Sequence, residues 1–350
     1  MPGCGKCSKR KMKRAGIYNP YWDSLGGGEK YTANVVKLLL DLGWTVDVWW
    51  KEDISDKLHQ RFGLDVAAAN FISQKPTSEY DLLFWVSDGS LPVSLAKKTI
   101  IHFQFPFANV AGRNLPNRLK SSFYTFVVNS KFTKRFIDAE FGVDSQVVYP
   151  PIDVGFFSPG PKTNTILYVG RFSQLTQQKG QLYLVEAFAK LEQKLGGWRL
   201  VLAGNTDVGT EVEYLATLSK SAVGHAVEIV TNPNIGRLRD LYSQAKFFWS
   251  AAGYGFDPEQ DPLKVEHFGM TVVEAMASGC VPIVSALGGH LEIVTNGETG
   301  YLWSTPDEMI KYTLDLVGDA KKWQKLSQAA LVSSNRFSTG EFRLKFTQLL

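Results

Sequence analysis

Cysteine is scarce: the 350 residues hold three, Cys4, Cys7 and Cys280. That scarcity argues against a disulfide-built secreted domain and points to a reducing cytoplasm. Long apolar runs are missing as well. No window offers the ~20 uncharged apolar residues of a membrane span. The most apolar stretch, VVKLLLDLGWTVDVWW, is interrupted by Lys37, Asp41, Gly43 and Asp47. The chain is therefore expected not to cross a membrane. An excess of one charge is missing too, once the first 14 residues are set aside. Those carry Lys6, Lys9, Arg10, Lys11, Lys13 and Arg14 without an acid, and the remainder counts 32 basic against 34 acidic residues. The formal charge of +4 thus belongs to the leader, and the body is not expected to bind nucleic acid.

The leader, residues 1–13, has no apolar core of a signal peptide. It reads as a flexible solvated tail, with peripheral contact to an anionic membrane at its inner face as the alternative. Cys4 and Cys7 form a lone CxxC without a second ligand pair, so no metal site is expected, and Cys280 reads as core.

What is present is a globular composition, 44% hydrophobic and 21% charged, in a chain long enough for two cores. Strand-like runs alternate with helical periodicity from the start. RAGIY (14–18), TVDVWW (45–50), DLLFWV (81–86), KTIIHF (98–103) and TFVVNS (125–130) read as strands. Between the first two, Glu29 to Leu42 places Ala33, Val36, Leu39 and Leu40 on one helical face, with Gly43 as cap. Proline and glycine then concentrate around residues 149–151 and 157–161, marking a linker. The pattern restarts with NTILYVG (164–170), a helix over 181–195, WRLVLAG (198–204), AVEIVT (226–231), AKFFWSA (245–251) and CVPIVSA (280–286). The expected fold is α/β, two Rossmann-like doubly wound domains facing across a cleft, at 14–158 and 159–337. Residues 338–350 form a last helix, with Phe342, Phe346 and Leu349 at helical spacing and Glu341 near the capping-box position.

The densest chemistry lies in VEHFGMTVVEAMASGCVPIVSALGG, Val265 to Gly289. Residues 270–278 read as a short helix whose start, at Gly269, Met270 and Thr271, offers free N–H groups and a positive dipole end to an anion. Glycine at 269 lets a phosphate approach the backbone. Glu274 then falls near that phosphate, where a carboxylate can accept from a ribose diol, and Glu266 lies on its other side, where a hexose would sit. The plain structural alternative is a capped helix with two solvated acids.

This segment, continued by HLEIVTNGETGYLW, resembles the E-x7-E region of retaining glycosyltransferases of family 4, which have the GT-B fold. YPPIDVGFF is similar to that family's interdomain entry, LYVGRFSQLTQQKGQLYLVEAF to its Gly-Arg-Phe…Lys-Gly segment, and GGGEKY to its N-terminal glycine loop. The resemblance implies transfer of a hexose from a UDP- or GDP-sugar to a sugar, lipid-linked or polysaccharide acceptor, with no obligatory metal. It makes Arg171 and Lys179 the cations on the donor diphosphate, and Gly27 and Gly28 the backbone that approaches the same group. Such a pair would favour the negative charge that develops on the leaving oxygens. In IIHFQFP either His102 or Gln104 corresponds to the family's sugar-contacting histidine, and His102 reads equally as a core residue. Asp88 could meet the acceptor or cap a turn; His267 and His290 read as loop-shaping. The turn EHFGM after GYGFDPEQDPLK is similar to mannosyltransferases acting on lipid-linked glycans, which favours GDP-mannose. A nucleotide-sugar epimerase on the same scaffold, and a noncatalytic nucleotide-sugar-binding protein, are the alternatives.

Overall fold

Runs of Val, Ile, Leu and Phe that are apolar on both faces belong in sheets covered from both sides, and here they form two parallel sheets. A computed structural model describes residues 12–73, 80–173, 176–206, 209 and 212–350. Most of the basic leader, Cys4 and Cys7 included, lies outside the described residues. The first sheet contains β1 (Arg14–Tyr18), β2 (Thr45–Trp49), β3 (Asn70–Ile72), β4 (Leu82–Val86), β5 (Lys98–Phe103), β6 (Thr125–Val128) and β7 (Gln146–Val147), in the order β3-β2-β1-β4-β5-β6-β7. The second contains β8 (Thr163–Val169), β9 (Arg199–Gly204), β10 (Val227–Thr231), β11 (Ala245–Ser250), β12 (Val281–Ser285) and β13 (Tyr301–Trp303), in the order β10-β9-β8-β11-β12-β13. Each chain segment starts mid-sheet, builds to one edge, then jumps across its first strand. The direction reverses between β1 and β4 and again between β8 and β11. Crevices at such reversals, beyond the carboxyl ends of the strands, are where doubly wound sheets hold ligands.

The helix after β1 runs Gly27–Asp41 and buries Tyr31, Val35, Leu38 and Leu39. It begins two residues before the expected Glu29. Glu29 reaches back to accept from Gly26 N at 2.8 Å, and this brings Gly27 and Gly28 into the first turn. The strand read at 125–130 stops at Val128, because Ser130 accepts from Thr133 N at 3.0 Å and caps the helix Lys131–Phe141.

The two halves are joined twice, and the joins are tied to each other. Ile152 N donates to Phe337 O at 3.0 Å, and Thr339 N donates to Ile152 O at 3.0 Å. Past this point the helix Thr339–Thr347, capped by Ser338, returns to the first sheet. There Phe342, Phe346 and Leu349 join the core formed by Ala15, Ile17, Tyr31 and Phe84. A third tie is electrostatic: Glu292 of the second half accepts from Lys131 N and Phe132 N, both at 2.8 Å, at the start of a first-half helix. Among the described residues no helix is long and apolar enough to cross a membrane.

Candidate active site

Two helix starts meet between the sheets. The helix Gly27–Asp41 follows β1, and the helix Met270–Ala277 follows the turn at Glu266–Gly269. A Cβ on Gly27 would lie 2.9 Å from Met270 Sδ, so glycine there allows the two starts to approach. Gly28 is tighter still: a Cβ would fall 1.8 Å from Gln104 Oε1, while Gln104 Nε2 donates to Gly28 O at 3.1 Å. Gly269 has φ +109, in the left-handed region that favours glycine, and swings the chain into its helix. Two positive dipole ends therefore open on one cleft, a setting for a diphosphate.

Glu266 opens that turn, its side chain 13% exposed. Lys179 Nζ lies 2.9 Å from its Oε2, and Gln177 Nε2 donates to its Oε1 at 3.4 Å. Burial would raise the carboxyl's pKa, but the positive Lys179, with lesser help from His290 and His267, holds it down at about 2. Glu266 is thus an anion at any working pH. The loop bearing Lys179 is fixed through Gln178: Gln178 N donates to Lys264 O at 2.9 Å, and Gly253 N donates to Gln178 O at 2.8 Å. The pair Gly288-Gly289 packs against the backbone of Glu266. Gly289 N donates to Glu266 O at 2.8 Å, and a Cβ on Gly288 would lie 2.1 Å from that same oxygen.

Glu274, one turn into its helix, is held from two sides. Lys30 Nζ of the first half lies 3.1 Å from Oε1, and Tyr242 OH donates to Oε2 at 3.0 Å. Each glutamate of the E-x7-E pair is therefore matched to a lysine. Lys30, Tyr242 and Gln177 went unassigned in the sequence, although Lys30 is visible in GGGEKY as the cation one turn into the glycine helix.

Arg171 follows β8 by two residues, at the reversal point of the second sheet. Its guanidinium makes no ion pair among the described residues, while its carbonyl accepts from Gln181 Nε2 at 2.9 Å. Met270 and Thr271 open the site helix, half-buried. His102 is not brought to the site. It is fully buried, stacked on Tyr31 at 4.0 Å between ring centroids and on Phe84 at 5.6 Å, with Nδ1 3.2 Å from Val127 O. The catalytic position given to His102 is corrected accordingly: β5 points it into the core, and Gln104, two residues on, reaches the glycine turn. Asp88 accepts from Ser90 N and Oγ at 3.1 and 2.6 Å and closes a turn. His267 and His290 are buried beside Glu266, and burial pushes both below the ordinary histidine range, His267 to about 4.

Two doubly wound parallel domains facing across a cleft, joined by paired crossovers and a returning terminal helix, are the GT-B architecture of glycosyltransferases. Residues 156–331, half of the chain, match the family Glycosyl transferases group 1, and the chain belongs to that family. It is similar to the GDP-Man:Man(3)GlcNAc(2)-PP-Dol alpha-1,2-mannosyltransferase of Dictyostelium discoideum, 29% identical over 228 residues that cover 60% of this chain and 43% of that protein. The Homo sapiens enzyme of the same name is 30% identical over 246 residues, 63% of this chain and 46% of that one. The chain thus matches less than half the length of these relatives. In fold it is similar to a glycosyltransferase from Rickettsia africae, with a TM-score of 0.77, 18% identity and coverage of 97% of this chain and 98% of that one.

Proposed function

We propose that the chain moves a hexose, with mannose from GDP-mannose as the first candidate, onto a hydroxyl of a lipid-linked, sugar or polysaccharide acceptor, retaining the anomeric configuration. The observation that carries this reading is the placement of Glu266 and Glu274 on either side of a glycine-led helix start, with Lys179 at 2.9 Å and Lys30 at 3.1 Å. The donor diphosphate would lie over the helix starts at Gly27 and Met270, with Arg171 and Lys179 on its charge and Glu274 on the ribose. As the bond from sugar C1 to the phosphate oxygen breaks, negative charge grows on that oxygen beside two fixed cations, and no metal is required. The acceptor oxygen then bonds to C1 on the same face, and its proton passes to the departing phosphate oxygen. Glu266, permanently ionised, would hold sugar hydroxyls and offset the positive charge on C1. The preference for GDP-mannose is supported by the mannosyltransferases among the relatives.

Thermal unfolding in the presence of a panel of UDP- and GDP-sugars tests the reading, since a ligand bound only by the native state raises its apparent stability. GDP-mannose should raise Tm and UDP-sugars should not. Absence of any shift across the panel would remove the donor site. Product analysis with a dolichyl- or polyprenyl-linked acceptor then reports the anomeric configuration, and inversion would overturn the mechanism.

A further inference from the structure

Glu29, Asp47 and Glu140 are acids whose side chains are buried in the first domain. Asp47 pairs with Arg14 at 2.6 Å, and Arg113 lies 3.8 Å from Glu140. Glu29, in the first turn of the glycine helix, has no cation beside it among the described residues. Its Oε2 accepts from Ser24 Oγ at 2.5 Å and from Gly26 N at 2.8 Å, and its Oε1 accepts from Asn19 Nδ2 at 3.5 Å. Burial without a counter-charge pushes its pKa above the ordinary glutamate value. The bonds it makes show what that cost maintains.

They close a sharp turn beside the cleft. Leu25, between Ser24 and Gly26, has φ +42, a left-handed conformation that side chains of its size seldom adopt. Asn19 carries the network further: its Oδ1 accepts from Tyr21 N at 2.9 Å, and its Nδ2 donates to Thr32 Oγ1 at 3.1 Å. Thr32 Oγ1 in turn donates to Gly28 O at 3.0 Å. The residues on either side of Gly27 are thus tied to the chain just past β1. Gly26 N is taken by Glu29, while the N–H groups of Gly27 and Gly28, at the helix start, have no acceptor within the helix.

We propose that Glu29 is a positioning residue for the donor diphosphate: it holds Asn19, Ser24 and Gly26 together so that the N–H groups of Gly27 and Gly28 face the phosphates. It touches no reacting atom. A carboxylate suits the place because its two oxygens accept from all three of these groups at once. An amide has one accepting oxygen, and an aspartate, one methylene shorter, does not reach. The inference rests on the donor reading above, in which the phosphate next to the ribose lies by the helix Met270–Ala277. A nucleoside monophosphate therefore lacks the group that the glycine turn would hold.

The test is calorimetric titration of the full chain with GDP and GMP, and with UDP and UMP alongside, weak ligands being followed by displacement. Glu29→Ala and Glu29→Asp should weaken binding of the diphosphate about tenfold or more, and that of the matching monophosphate by no more than about twofold. Glu29→Gln, which keeps an acceptor for Ser24 and Gly26, should bind the diphosphate within about threefold of wild type. A merely structural role would instead weaken both ligands together, through the folded fraction. The proposal is overturned if Glu29→Ala and Glu29→Asp bind the diphosphate like wild type, if diphosphate and monophosphate weaken alike, or if Glu29→Gln is no better than Glu29→Ala. Wild type that binds none of the four nucleotides would overturn the donor reading itself, and this inference with it.

Discussion

Lys30 Nζ sits 3.1 Å from Glu274 Oε1, an ion pair that joins the glycine helix of one domain to the site helix of the other. Both side chains are largely covered, at 15% and 12% exposure, so the pair spans the two domains in a setting where breaking it leaves a partly buried charge unpaired. A nucleotide ribose that takes Glu274 must first displace this ammonium. Lys30→Met should therefore tighten nucleotide binding by roughly three- to tenfold, about 1 kcal/mol, by removing the competitor. Calorimetric titration of GDP into both proteins measures it. Weaker binding in the variant would show that Lys30 contacts the ligand itself.

Glu266 is matched to Lys179 at 2.9 Å within one domain, and its carboxyl is held at about 2. Changing Glu266 to Gln keeps its size and removes its charge. If the charge acts on the transition state, kcat should fall by about a hundredfold or more while donor Kd moves by no more than about threefold. Equal losses in both would reduce Glu266 to a donor-binding group. The pH dependence has a definite sign. Since the folded pKa is depressed below the 4.5 of a free glutamate, its contribution to stability is complete above that value and is lost as pH falls toward 2. The Gln variant should show a flatter decline in urea midpoint over that interval.

Three buried histidines act in the next interval up. Burial pushes His102 to about 3, His267 to about 4 and His290 below its ordinary value of 6.5. Each takes a proton in the unfolded chain near 6.5 but resists it when folded, so stability is lost as pH drops below 6.5. His102→Phe, packed between Tyr31 and Phe84, should retain donor Kd and kcat within about threefold and lose less stability between pH 6.5 and 4 than wild type does. Gln104→Ala, by contrast, should lower kcat. A His102 variant with intact Tm but strongly reduced turnover would return that residue to the site.

What the sequence made legible follows from the strength of each local signal. β1, β4, β5, β8 and β9 are apolar on both faces and stand out as runs. The edge strands β3, β7 and β13, of two or three residues, are too short to carry a period. The helix Leu115–Ser121, at seven residues, is too short for two leucines four apart to establish a helical period. In the site, Glu266, Glu274 and Gly269 stood out as candidates from spacing and turn chemistry, whereas Gly27 and Gly28 were pointed to by the family resemblance. The partners of the two glutamates did not stand out. Lys30 and Glu274 lie 244 positions apart, and only the fold brings them together. His102 and Gln104, two positions apart, share one face of the strand line, and the sequence alone does not say that His102 stops at Tyr31 in the core while Gln104, past the strand's end at Phe103, reaches Gly28.

The returning helix gives the last prediction. Thr339–Thr347 contributes no residue to the cleft, yet Phe342 meets Tyr31 edge-on at 5.1 Å and Phe346 lies 5.8 Å from Phe84. Both phenylalanines are buried in the first domain's core, and Arg343 pairs with Asp41 at 2.9 Å. Removing residues 338–350 would open that core and also delete the Thr339–Ile152 bond that ties the two crossings. Truncation should therefore unfold or loosen the first domain and abolish transfer, while the residues proposed to hold the nucleotide in the second domain remain in the chain. Phe346→Ala is the gentler version, expected to cost about 3–5 kcal/mol as a large-to-small core substitution. Urea unfolding of the point variant, with hydrogen exchange to locate the loss, checks both the size and the place. Exchange that quickened only in the second domain, or a truncated chain with full activity, would refute the role given to this helix.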